Sequence, residues 1–198
     1  MTKPFQLVAG HPALDLVNTL DWRFRESGPE ELLPNYGELL RFVEESSLLT
    51  SRQTRQLRRT TSGQASTQAL RSVLDLREAA SEIFYVLVDG LTPPQAAIKK
   101  LDRHLRGTLA KRSLHWAGSG LELTWTNVTA SHLPLWLLTQ SSVDLLTSEA
   151  AHSIRACAVP ECRWLFLDTS KNHSRRWCDM KICGNRMKAR RFKAQHKA

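Results

Sequence analysis

Cys157-Ala-Val-Pro-Glu-Cys162, followed after 15 residues by Cys178-Asp-Met-Lys-Ile-Cys183, holds every cysteine of the 198-residue chain. Two C-x4-C pairs so close together place four thiols on one short piece of polypeptide. Zn²⁺ favours sulfur and closes a tetrahedron with four thiolates, leaving no coordination position open. Two disulfides are the other use of the pattern, but thiols stay reduced in a cytoplasm. No long apolar run or small-residue cleavage site follows Met1, so a secretory signal is not expected, and a cytoplasmic location is. Residues 151–198 also carry too little apolar mass to fold unaided, and a bound metal supplies the missing free energy. The expectation is one structural Zn²⁺ per chain on Cys157, Cys162, Cys178 and Cys183.

The residues between and after the pairs suggest how the module is built. Trp164-Leu-Phe-Leu167 and Ser174-Arg-Arg-Trp177 flank the polar turn Asp168-Thr-Ser-Lys-Asn172 and predict a β-hairpin. From about residue 180 the chain has good helix formers and no proline, so a helix should begin there. A knuckle, a hairpin and a helix whose first turn bears the second pair form a treble-clef-like arrangement. The positive end of that helix favours thiolate over thiol. Met187 and Phe192 should face the hairpin aromatics, leaving Arg186, Arg190, Lys193 and Lys197 as a solvent stripe widened by Lys188 and Arg191.

Charge singles out the same segment. The net charge is +9, yet residues 171–198 hold ten Lys/Arg and one acid, Asp179, so the whole excess lies in the last 28 residues. A neutral body with one basic end points to a polyanionic partner. A merely solvated helix face normally mixes signs, and this one does not. The candidate contacts are Arg175, Arg176, Lys181, Asn185, Arg186, Lys188, Arg190, Arg191 and Lys193, with duplex DNA as the expected partner. RNA or a ribosomal surface is the alternative, since a basic zinc module serves either polymer.

Residues 1–150 read as a mainly α domain with one β-hairpin. Apolar periodicity predicts helices over about 12–22, 36–49, 52–60 (capped by Thr50 or Ser51), 67–88, 92–109 and 132–152, with loops at 23–35 and 60–66. Around Gly118-Ser-Gly120 the period changes to two, with Leu114 and Trp116 before it and Leu121, Leu123 and Trp125 after it. His11, Asp15 and Asn18 fall at i, i+4 and i+7 on the first helix. They could line an effector pocket, or form a polar stripe that satisfies buried groups. The six tryptophans are expected mainly in the core. No phosphate-binding glycine loop, nucleophile elbow or paired-carboxylate motif is present, so no enzyme activity is expected; an active site in the helical domain beside a structural zinc is the third, less favoured reading. No run approaches the about 20 apolar residues of a membrane-spanning helix. Oligomeric state is left open.

Cys183-Gly184-Asn185-Arg186, after the three earlier cysteines, resembles the CGNR zinc-finger family. Gly10-His-Pro-Ala-Leu-Asp-Leu-Val-Asn-Thr-Leu20 resembles the opening of the ABATE domain that precedes that finger. The resemblance implies a helical ABATE-like domain over 1–150 and a finger over 151–198. It also implies zinc on the four cysteines, DNA as partner, and the role of a stress-induced transcription regulator. Within the motif, Gly184 suits a tight bend beside the metal, Asn185 a backbone cap around the sulfurs, and Arg186 a phosphate or guanine edge.

Overall fold

The computed structural model describes residues 4–196; Lys197 of the basic stripe lies outside them. Helix α1, Pro12–Asn18, starts with proline in its first turn, and His11 Nδ1 accepts the Ala13 N–H at 3.3 Å. It stops four residues short of expectation. The Thr19 hydroxyl donates to the Leu16 carbonyl at 2.6 Å, and the chain leaves as strand β1, Leu20–Asp21, pairing with β2, Glu30–Glu31. Two-residue strands carry no periodicity, so the stretch reads as loop. Arg77, 3% exposed, holds this bridge by donating to both Glu31 carboxylate oxygens at 2.8 and 2.7 Å.

Helix α2, Tyr36–Glu45, is capped by Asn35, and α3, Ser51–Thr60, by a reciprocal Thr50–Gln53 box. Helix α4, Gly63–Val88, starts earlier than apolar spacing suggests, because Ser62 caps it and its first turn is polar on all sides. Helix α5 spans Gln95–Leu109. Strands β3, Arg112–Trp116, and β4, Leu121–Trp125, form the expected hairpin, and α6 spans Leu133–Leu146. Residues 149–153 form a separate 3-10 turn rather than continuing α6.

The zinc module departs from expectation in its strand pairing. Strand β6, Leu165–Leu167, pairs antiparallel with β5, Ile154–Ala156, which lies before the first cysteine. Residues 174–177 form no strand and contribute one backbone-to-backbone bond, Ala158 N–H to the Arg176 carbonyl at 2.8 Å. Among the described residues there are three two-stranded sheets instead of one hairpin per domain. A π-turn, Met180–Gly184, then leads into α7, Asn185–Gln195. The fold remains mainly α, with a small zinc module at its C-terminal end.

One core lies among α2 to α6, around Phe42, Val73, Leu76, Trp136 and Leu138. A second is shared by both parts of the chain. Leu14 and Val17 of α1, Phe84 of α4 and Leu145 of α6 pack with Ile154 of β5 and Leu165 of β6. The module is therefore built onto the helices, not tethered to them. Among the described residues three aromatics are exposed: Trp116 at 62%, Phe192 at 61%, stacked on His196, and Phe24 at 45%, edge-on to Tyr85.

Candidate metal centre and nucleic-acid interface

The four cysteines are buried, and their Sγ atoms lie within 4.8 Å of one another. Cys162 and Cys178 Sγ are 3.7 Å apart, Cys178 and Cys183 Sγ 3.6 Å. A disulfide would bring sulfurs to about 2.05 Å. A tetrahedron with Zn–S of about 2.3 Å has edges of about 3.8 Å. The spacing fits one zinc ion and no disulfide. Four sulfurs complete its coordination shell, so the ion is structural.

Backbone bonds fix each ligand pair. The Cys157 N–H donates to the Trp164 carbonyl at 2.8 Å, and the Val159 carbonyl accepts from the Cys162 and Arg163 N–H groups, both at 3.0 Å. Arg163 takes a left-handed conformation, φ +46°. Helix α4 holds it there: the Tyr85 hydroxyl donates to its carbonyl at 3.1 Å, and its guanidinium reaches Asp89 at 3.0 Å. On the second arm the Asp179 carboxylate accepts the Lys181 N–H at 2.6 Å, and its carbonyl accepts from Cys183 and Gly184 at 3.0 and 3.1 Å. Asn185 donates to the Lys181 carbonyl at 3.0 Å, so its side chain braces the turn that carries Cys183. Gly184 is helical, φ −60°, and no special bend requires glycine. A side chain there would run into Met180 Sδ instead.

Asp168, which the sequence did not single out, and Arg175, which it placed among the nucleic-acid contacts, organise the space between the pairs. Asp168 is fully buried; it accepts from Ser170 Oγ at 2.5 Å and from the Ser170 and Arg175 N–H groups, each at 3.0 Å. The Ser170 hydroxyl, then these amides, hold its carboxyl below the usual range. Arg175 lies over the Phe166 ring at 4.2 Å and donates to the carbonyls of Trp177 at 3.0 Å, Val8 at 3.1 Å, Leu167 at 3.4 Å, and Cys178. It ties the second cysteine pair to the N-terminal segment. Its placement among the nucleic-acid contacts is corrected accordingly: every one of these bonds is internal.

A model of the ABATE family, described as "putative stress-induced transcription regulator", matches residues 10–149. The chain belongs to the ABATE family. A CGNR zinc-finger model matches residues 153–196, and no curated protein matches the chain.

Of the two readings of His11, Asp15 and Asn18, effector pocket or polar stripe, their hydrogen bonds match the stripe. His11 caps α1. Asp15 accepts the Ala9 N–H at 3.1 Å, and Asn18 pairs with Leu165 of the CGNR finger, accepting its N–H and donating to its carbonyl, both at 2.9 Å. Asn18 thus acts as a side-chain strand partner for β6. The crevice beside Asp15 and Asn18 has about 10 Å³, room for at most one water.

The finger's remaining cations divide into two groups. Arg186 lies over Trp22 of the ABATE part at 4.6 Å, and Arg190 pairs with Glu161 at 2.9 Å. Of these two stripe residues, Arg186 turns toward the body and Arg190 is paired within the finger. Arg176, Lys181, Lys188, Arg191 and Lys193 are exposed, with no ion-pair partner among the described residues. Helical spacing revealed the cations but not which way α7 is rotated, which depends on Trp22 and Glu161, both distant in sequence. No helix among the described residues is long and apolar enough to cross a membrane.

Proposed function

We propose that the chain is a zinc-dependent, DNA-binding transcription regulator of the cytoplasm. In this reading the finger contacts duplex DNA while the helical domain senses a ligand or mediates assembly. The observation that carries it is the outward set Arg176, Lys181, Lys188, Arg191 and Lys193, unneutralised on a segment whose one acid, Asp179, is occupied as a cap. The zinc fixes that surface and takes no part in chemistry. The regulator and zinc-finger descriptions of the two families support a role without catalysis.

Assembly is supported by the β3–β4 hairpin. Leu114, Trp116, Leu121 and Leu123 share one face and are 68, 62, 66 and 54% exposed. They present on the order of 500 Å² of apolar surface, over half of the roughly 800 Å² per partner in a standard interface. The occupant that fits is a second copy. A two-fold contact sets a patch against itself, and an uncharged patch meets itself without repulsion.

Salt-titrated binding to random duplex DNA tests the DNA contact. Five phosphate contacts release condensed counterions, giving a slope of log K against log salt of about −4 to −5 per engaged finger. Lys188→Ala should lower that slope by about one and weaken all sequences alike. Arg190→Ala, which breaks the Glu161 pair, should leave the slope unchanged. Tighter binding to single-stranded RNA of equal length would select the RNA reading; a flat salt response would overturn both.

A further inference from the structure

A cavity of about 500 Å³ opens between the C-terminal half of α5, the loop after β4 and the first turn of α6. That size suits a small organic molecule. Ala130, Leu135 and Trp136 give it an apolar wall, and no carboxylate lines it. Arg103 and Lys111 stand at its rim, with no ion-pair partner among the described residues. A third basic side chain, His104, is already held by Asp75 at 3.1 Å.

Two further features point the same way. Helix α6 has 14 residues and no side-chain cap at His132, and both His132 and Leu135 of its first turn border the cavity. The Leu133 N–H is taken by the Ala130 carbonyl at 2.9 Å, the Trp136 N–H by the His132 carbonyl at 3.1 Å, and Pro134 has none, so the Leu135 N–H and the helix dipole are what favour an anion there. Thr108, 1% exposed, also borders the cavity, and its hydroxyl oxygen is buried without a hydrogen-bond partner. Buried hydroxyls are nearly always paired, and this orphan becomes available to a ligand once its side chain turns toward the cavity.

We infer that this cavity is a binding site for a small organic anion, a carboxylate on a flat apolar body. The body lies against Trp136 and Leu135. The carboxylate is met by Arg103, Lys111 and the α6 N-terminus, and the Thr108 hydroxyl turns to pair with it. The inference gives a place and a ligand class to the sensing half of the proposed function, and rests on that half alone.

The test uses the full zinc-loaded chain, with phenylacetate as probe and neutral phenylacetamide as control, followed by calorimetry and thermal melting without DNA. Phenylacetate should bind saturably, one per chain, and raise the melting temperature. Phenylacetamide should bind at least about tenfold more weakly. Arg103→Ala and Lys111→Ala should each weaken phenylacetate about tenfold, about 1.4 kcal/mol, at unchanged zinc content. Thr108→Val keeps the shape and removes the orphan, so the free protein should melt no lower while binding weakens. No saturable binding up to about 10 mM, equal binding of the amide, or indifference to Arg103→Ala and Lys111→Ala would overturn the site. Since DNA is absent, binding of phenylacetate by a chain that fails to bind DNA leaves the site standing and removes only the regulator reading.

Discussion

Asp15 spends its hydrogen-bonding capacity on the Ala9 N–H while sitting 7% exposed between α1 and the N-terminal segment. Burial raises its carboxyl to about 6, with the Ala9 bond opposing. An unfolded Asp titrates near 3.9. The fold therefore prefers the neutral acid: the stabilisation is complete below about pH 4 and is lost as pH rises through 6. Keeping the group ionised at pH 8 costs about 2–3 kcal/mol. Asp15→Asn retains an oxygen for Ala9 and removes the titration. The variant should be the more stable protein at pH 8 by about that amount, with the gap narrowing toward pH 5.5. Urea melts at both ends of this range, with zinc saturating, check it. A variant that keeps the wild-type pH response would show that another group is responsible. In the sequence Asp15 reads only as a polar position at helical spacing. What makes it unusual is burial against the N-terminal segment at Ala9, which no spacing encodes.

At the scale of elements, β6 joins the two family-defined parts. Leu165 lies in the second core with Leu14, Val17 and Phe84, its backbone is paired by Asn18, and the Leu167 N–H donates to the Ala9 carbonyl at 2.8 Å. Local chemistry was readable: the cap at Thr50 or Ser51, the Pro12 start and the alternation around Gly118 each specify an element through neighbouring residues. Strand partnership was not, because the apolar run 164–167 can pair on either side, and the choice of β5 is made by packing on α1 and α4. The four cysteines were legible because ligand chemistry resides in the side chain; Arg163 and Arg175 were not, because their acceptors are distant carbonyls and carboxylates. The shared core changes the expected fate of an apo finger. Cys178→Ser should lose zinc and release β6, and the helices should also be destabilised, by about 2–4 kcal/mol for the burial they lose around Leu165. Calorimetry with metal analysis would show a lowered helical transition. An unchanged midpoint for the helices would restore the picture of two independent domains.

For the molecule as a whole, the hairpin and the finger make a joint prediction. The cross-strand pairs Leu114↔Leu123 and Trp116↔Leu121 are more than half exposed, whereas Trp125 at the hairpin root is stacked on Trp136 at 5.8 Å. A single chain thus gains little from the outer four residues, and their substitution should barely change its intrinsic stability. If two copies meet there, wild-type protein should sediment at twice the 22.5 kDa chain mass. Trp116→Thr combined with Leu123→Thr keeps β propensity while removing the apolar contact, so it should sediment as a monomer with full zinc content. DNA binding should change as well. Two fingers on one duplex act with an effective concentration far above that of free chains, so the monomeric variant should bind about 10²-fold more weakly. Its salt slope should fall from about −9 to between about −4 and −5, because one finger's phosphate contacts remain instead of two. Equal mass and equal slope for both proteins would mean that the hairpin face serves something other than a second copy of this chain.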